Sequence, residues 1–256
     1  MKIFAHRGGA RCGPENTLAA FARAIRDGCD GFECDVRLTA DHEPVIVHDD
    51  DLRRLTGAHV SVSREGFAEL RKLRVLGSDQ RIPHLDEVLE LAAVNAVEGF
   101  LEFKQVSERL AETVVALLRG SLAGPRWWMM AFATRRRVLE YVKKIEPQLR
   151  TDVIAMLPVD LCRTVARCSA DAVSFGFGWK FRSYALFRAL DACFSLKTVV
   201  SRAQARGIPV AAGIANEVDD VLRLADYGVD AIFTDDVTTA RAVLEAHQRR
   251  PRGPHR

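Results

Sequence analysis

Lysine is scarce in this chain of 256 residues, with seven lysines against thirty arginines, and the arginines are scattered among acidic residues rather than gathered into blocks. With a net charge of only +3, the sequence lacks the concentrated positive face that nucleic-acid binding requires, so no nucleic-acid partner is expected. No window of eighteen apolar residues exists, which argues against a transmembrane segment. The amino terminus runs from Met1 straight into the strand-like Lys2-Ile3-Phe4-Ala5, without the apolar region of a secretory leader, and a soluble cytoplasmic protein is expected. The six cysteines (Cys12, Cys29, Cys34, Cys162, Cys168 and Cys193) form no C-x-x-C pair, so they read as reduced thiols rather than a zinc site or a disulfide framework. Nothing in the sequence specifies an oligomeric state.

What is present is an ordinary globular composition, 48% hydrophobic and 28% charged, at a length that suits one large α/β domain. Short apolar runs recur at 3–5, 31–36, 99–103, 127–132, 152–156, 172–175, 208–212 and 230–233. Amphipathic helical stretches lie between most of them, for example 17–27, 85–94, 107–119, 134–145, 196–206, 217–227 and 238–247. Eight strands alternating with helices predict a (β/α)8 TIM barrel, with a doubly wound open sheet as the second choice. The stretch 36–48 is too short for a crossover helix and reads as a hairpin. Residues 49–84 are polar, with Phe67, Leu70 and Leu73 at helical spacing, and read as a small insertion at the barrel mouth. A single barrel is expected over 1–247, followed by a disordered basic tail at 248–256, which holds four arginines and two prolines.

Reactive groups of such barrels lie at the carboxyl ends of the strands, so polar residues there carry information. His6 and Arg7 close the first strand. Glu33 and Asp35 are two apart in Phe32-Glu33-Cys34-Asp35-Val36, and period-two alternation points both to one face while Phe32, Cys34 and Val36 pack outward. Leu101-Glu102-Phe103-Lys104 repeats the pattern. Three inward carboxylates would repel strongly without a cation, and an all-oxygen donor set suits one divalent Mg²⁺ or Ca²⁺ ion better than Zn²⁺. If the hairpin turns near Asp41-His42, facing positions sum to 83 and His48 stands opposite Asp35. Two histidines, a metal and the Arg7-Lys104 pair would make a phosphoryl-transfer site. Taken singly, each residue also has a structural reading, and it is their convergence that points to chemistry. Asp30, Asp49, Asp50, Asp51 and His84 read as solvated loop or cap residues, and His42 as a turn residue.

His6-Arg7-Gly8-Gly9, Pro14-Glu15-Asn16-Thr17, Glu33-Cys34-Asp35-Val36, Pro44-Val45-Ile46-Val47-His48-Asp49, Ile82-Pro83-His84-Leu85-Asp86-Glu87-Val88-Leu89 and Leu101-Glu102-Phe103-Lys104 resemble, in order, the motifs of the glycerophosphodiester phosphodiesterase family. Gly228-Val229-Asp230-Ala231-Ile232-Phe233-Thr234-Asp235 resembles its last barrel strand. The resemblance implies a (β/α)8 fold, hydrolysis of a small-molecule glycerophosphodiester to an alcohol and glycerol 3-phosphate, and dependence on Ca²⁺ or Mg²⁺. By motif position it implies His6 and His48 as the acid-base pair, Glu33, Asp35 and Glu102 as metal ligands, and Arg7 and Lys104 as phosphate contacts. A related phospholipase D-type enzyme acting on lysophospholipids, and a catalytically weak barrel that binds phosphorylated ligands, are the alternatives.

The sequence departs from the family pattern mainly in its second half. Gly213-Ile214-Ala215-Asn216 stands where the family has Trp-Thr-Val-Asn, Ala131 replaces a Ser, His84 a Thr and Val237 a Pro. An aromatic wall of the pocket is therefore expected to be missing at Gly213. Residues 175–187 hold six of the nineteen aromatics, and Phe177 and Trp179 are candidates to refill that wall.

Overall fold

The computed structural model describes residues 1–122, 124–176 and 191–249. Eight parallel strands form a closed ring: β1 (Lys2–Ala5), β2 (Gly31–Leu38), β4 (Glu98–Phe103), β5 (Trp127–Phe132), β6 (Arg150–Ala155), β7 (Ala172–Gly176), β8 (Val210–Gly213) and β9 (Ala231–Thr234). Strand β1 pairs with both β2 and β9, and that double pairing closes the barrel and rules out the open doubly wound sheet. Among the described residues only β3 (Pro44–Ile46) runs antiparallel, along β2, as the hairpin expectation required. No helix among the described residues is long and apolar enough to cross a membrane.

The helices form where the sequence provides both a cap and a stripe. Thr17 Oγ1 accepts from Ala20 N–H at 3.2 Å, starting the helix Leu18–Arg26, which buries Ala20, Phe21 and Ala24. Phe21 stacks on Phe32 of β2 at 4.4 Å, so the outward residues of β2 pack against helices as the alternation predicted. His84 caps the helix Leu85–Asn95 in a capping box with Glu87, which agrees with its reading as a cap residue. All six cysteines are free.

The barrel has two apolar layers. The larger lies between sheet and helices; the smaller fills the barrel interior with Phe4, Phe100, Met130, Ala211, Ala231 and Phe233. The segment after β3 has a third core of its own, with Val45, Val47, Leu52, Leu55, Val62, Leu70, Val75 and Ile82 buried together. Its helical spacing yields only one short turn, Phe67–Leu70. The final helix, Val237–Arg249, takes in Gln248 and Arg249; residues 250–256 of the expected tail lie outside the described residues.

The hairpin register differs from the expectation by one residue. Val36 faces Ile46 and Arg37 faces Val45, so opposed positions sum to 82, and Val47 N–H donates to the Asp35 carbonyl at 2.9 Å. The cause is the turn. Thr39 N–H donates to the Glu43 carbonyl at 3.0 Å, enclosing three residues centred on Asp41, and His42 takes the left-handed conformation (φ 67°). Val47, not His48, therefore stands across from Asp35.

Candidate active site

A cavity of about 330 Å³ opens at the carboxyl ends of the strands, where the sequence placed the chemistry. One wall is polar, with His6, Arg7, Glu33, His48, Glu102, Lys104, Asn216 and Asp235. The other is largely apolar, with Met130, Phe132, Ile154, Met156, Ile214 and Phe233.

Glu33, Asp35 and Glu102 converge as expected: one carboxylate oxygen from each lies within 4.8 Å of the others, and all three residues are buried. Burial, and then the neighbouring charges of Asp35 and Glu102, push the Glu33 carboxyl well above its ordinary range. Burial also raises Glu102, although Lys104 opposes it. Asp35 behaves differently. Burial acts to raise it, but Lys104 and Arg7 outweigh burial and bring it down to about 2.

The contacts explain the contrast. Asp35 Oδ2 lies 3.1 Å from Arg7 Nε and accepts from Asn16 Nδ2 at 2.7 Å, while Lys104 Nζ stands 3.3 Å from Oδ1 and 2.8 Å from Glu102 Oε1. Glu33 has only the backbone N–H of Arg7 on Oε2, at 3.0 Å. Arg7 takes φ 50° to offer it, a strained conformation for a residue with a side chain. Glu33 Oε1 and Asp35 Oδ1 are buried without a hydrogen bond. Lys104 Nζ faces the Asp35 oxygen, so Glu33 Oε1 is the orphaned one, and an orphaned oxygen in an all-oxygen cluster fits a hard divalent cation.

Both histidines reach the cavity. His6 follows β1 in the short turn His6–Gly8, and a Cβ at Gly8 (φ 80°) would meet Ala20 Cβ at 2.9 Å, so glycine lets this turn sit against the first helix. His48 arrives because the chain leaves the hairpin after Ile46, and its carbonyl accepts from Arg37 Nε at 2.9 Å. His6 Nδ1 lies 2.7 Å from Asp235 Oδ1, and His48 Nδ1 lies 2.7 Å from Asp49 Oδ1. Burial acts to raise both aspartates, but the histidines, joined by Asn216 and Arg7 at Asp235 and by Arg54 at Asp49, together outweigh it and hold both below the ordinary carboxylate range. Ionised carboxylates only accept, so each Nδ1 carries its proton and each Nε2 is left free. Burial lowers His48, opposed by Asp35.

Several of these partners escaped the sequence reading. Asp49, read as solvated, holds His48. Asp235, noticed only within a strand motif, holds His6 and accepts from Asn216 Nδ2 at 2.7 Å. Asn16, noticed within a motif, grips Asp35 by side chain and backbone at 2.7 and 3.2 Å, next to the capping Thr17. Glu15 links Arg7 to Arg54 of the insertion, and Arg54 in turn reaches Asp49 at 2.6 Å. Arg135 lies 3.6 Å from Glu102. A carboxylate next in sequence to a proposed catalytic histidine was the one available signal for Asp49; the others depend on contacts across the ring.

The wall at Gly213 is not the hole the sequence suggested. A Cβ there would lie 2.7 Å from Phe233 Cβ and 2.9 Å from the Phe233 carbonyl, and Ile214 next to it lines the cavity. Phe177 and Trp179 lie outside the described residues.

A closed α/β barrel that gathers carboxylates, histidines and cations at one end of its strands is built as an enzyme. The chain belongs to the glycerophosphoryl diester phosphodiesterase family, whose sequence model matches residues 6–239. It is 30% identical to a probable glycerophosphodiester phosphodiesterase 1 of Mycobacterium tuberculosis over 95% of this chain and 92% of that protein. It is 40% identical to lysophospholipase D GDPD1 of Homo sapiens over 101 residues, 35% of this chain and 32% of that one. In fold it is similar to a phosphodiesterase of Oleispira antarctica solved with the product sn-glycerol-3-phosphate, with a TM-score of 0.81 and 23% identity over 96% of this chain and 97% of that one.

Proposed function

We propose that this protein hydrolyses glycerophosphodiesters to an alcohol and glycerol 3-phosphate, using a divalent cation and the His6–His48 pair. The observation that carries the reading is the carboxylate trio with its orphaned Glu33 oxygen, flanked by two imidazoles whose Nδ1 atoms are each held by an ionised aspartate. Glu33, Asp35 and Glu102 would hold the cation, Mg²⁺ or Ca²⁺, which supplies charge stabilisation at the phosphate oxygens. Arg7 and Lys104 bind the phosphate and already balance Asp35. One Nε2 removes a proton from the attacking water as its oxygen bonds to phosphorus, and the other protonates the departing alkoxide as its bond to phosphorus breaks.

A second reading rests on the cavity mouth. Met156 lines the cavity and is 48% exposed, and Leu157 and Val159 beside it are 46% and 37% exposed. These side chains would suit an acyl tail, as on a lysophospholipid. The proposal is tested by offering purified protein glycerophosphocholine, glycerophosphoethanolamine and lysophosphatidylcholine with Mg²⁺, with Ca²⁺ and with chelator. Release of glycerol 3-phosphate that stops with chelator is expected. Release from none of them, with either cation, overturns the proposal, and cleavage of lysophosphatidylcholine alone favours the second reading.

A further inference from the structure

The acid-base and charge-balancing roles leave one buried ionisable side chain of the barrel interior unused. Asp152 is 1% exposed and points inward from β6, since its neighbours Val153 and Ala155 face the outer core. Its surroundings are the apolar interior layer: by strand register it lies between Met130 of β5 and Ala172 of β7. Its Oδ2 accepts from Ser174 Oγ at 2.6 Å, and its Oδ1 has no hydrogen bond. No charged side chain contributes to its ionisation, which burial disfavours and the Ser174 hydroxyl and amide favour.

Ser174 is what connects this carboxyl to the cavity. It lines the pocket from β7, which in a ring of eight strands stands across from β2 and its carboxylates. Its neighbours on that wall are Ile154, Phe175 and Ile214, so among the described residues it is a single hydroxyl in an otherwise apolar stretch. Because Ser174 commits its proton to Asp152, the lone pairs of Oγ are what it offers to the cavity. A group opposite must therefore donate. A neutral hydroxyl suits the apolar wall better than an ammonium, whose desolvation there would be costly.

We infer that Ser174, held by Asp152, is a specificity-determining residue that accepts a hydrogen bond from a hydroxyl on the esterified group, so that the pocket prefers phosphate esters of polyols to those of simple alkyl alcohols. This deepens the proposed function and rests on its placement of the phosphate at the opposite wall. Asp152 is a positioning residue, acting only through Ser174. A site built to bind a hydroxyl rejects the analogue lacking it, because its own polar group is then left unpaired.

The test is calorimetric binding of sn-glycerol 3-phosphate and of ethyl phosphate, which lacks the hydroxyls, to the full chain with Mg²⁺. Wild type should prefer glycerol 3-phosphate, and Ser174→Ala should reduce that preference by about tenfold, through weaker glycerol 3-phosphate binding while ethyl phosphate binding holds or tightens. Asp152→Leu frees the hydroxyl to turn and should lower the preference by less than Ser174→Ala, since Oγ keeps its lone pairs. Asp152→Asn, which still accepts from Ser174, should keep most of the preference. Melting curves confirm that each variant is folded. The inference is overturned if wild type shows no preference or binds neither ligand, if Ser174→Ala keeps the preference, or if it weakens both ligands equally. Absence of diester hydrolysis in a wild type that keeps the preference would remove the proposed function and leave this inference standing.

Discussion

His6 and Asp235 lie 229 positions apart in the chain, yet His6 Nδ1 and Asp235 Oδ1 are 2.7 Å from each other because β1 and β9 are neighbours in the closed ring. The contact fixes both the tautomer and the tilt of the imidazole. Asp235→Asn should therefore lower kcat by about 10²-fold or more with little change in KM, since the amide can present a donor to Nδ1 and favour the wrong tautomer. His6→Ala should cost about 10²–10⁴-fold, and the double variant less than the sum. A near-normal kcat for Asp235→Asn would show that the aspartate only anchors Asn216.

The insertion reaches the other histidine through Arg54. Its guanidinium bridges Glu15 and Asp49, each at 2.6 Å, and Asp49 holds His48. Arg54→Ala should lower kcat by about tenfold through a loosened His48, although the arginine lies half exposed at the rim. Combining it with His48→Ala should add almost nothing. Additive losses measured in steady-state kinetics would place the effect of Arg54 elsewhere.

The three carboxylates differ in their partners, and their removal should differ too. Glu33 carries an orphaned oxygen and is crowded by like charge, so Glu33→Gln should hold or raise stability without cation. Asp35→Ala strands the buried Arg7 and Lys104 and should cost about 3–5 kcal/mol. Thermal melts with and without Mg²⁺ or Ca²⁺ read both effects, and the cation should raise Tm in wild type but not in Glu33→Gln. Equal stabilisation of both proteins by the cation would remove Glu33 from the proposed ligand set.

The barrel was legible because its signals are local: apolar runs, intervening stripes, and carboxylates two apart on strands. The same locality exposed Glu33, Asp35 and Glu102, whose inward direction follows from alternation alone. What the sequence did not reveal depends on turns and distant contacts. A three-residue turn at Asp41 shifted the hairpin register by one, and His48 entered the cavity by leaving the strand rather than by facing Asp35. Asn16 gave no signal of its own, because the side chains that hold a carboxylate are also those that cap helices. Asp235 and Arg54 act on histidines brought near by ring closure and by the folding of the insertion, which no spacing in the chain reports.

Gly213 illustrates a gap that only geometry could close. A methyl group there would press on the backbone and Cβ of Phe233, which packs in the barrel interior and lines the cavity. Gly213→Ala should destabilise the fold by about 1–3 kcal/mol, and the displaced Phe233 should raise KM. Chemical denaturation and steady-state kinetics on this one variant measure both; an unchanged stability would mean that β8 can shift away from β9 at little cost.

Asp152 should leave a signature in the pH dependence of stability. Burial pushes its carboxyl up to about 7, against the favourable hydroxyl and amide of Ser174. Between the ordinary carboxylate range and about pH 7, the folded protein therefore holds a proton that the unfolded chain has lost. Stability from this group is unimpaired in acid, falls as pH rises through that window, and stays reduced above it, by about 4 kcal/mol at most. Asp152→Asn has no proton to lose there. Its stability relative to wild type should thus improve from pH 5 to about pH 7 in urea titrations and then level off, whatever the cost or gain of the amide itself. A difference between the two proteins that does not change with pH would mean that Asp152 stays in one protonation state across the range.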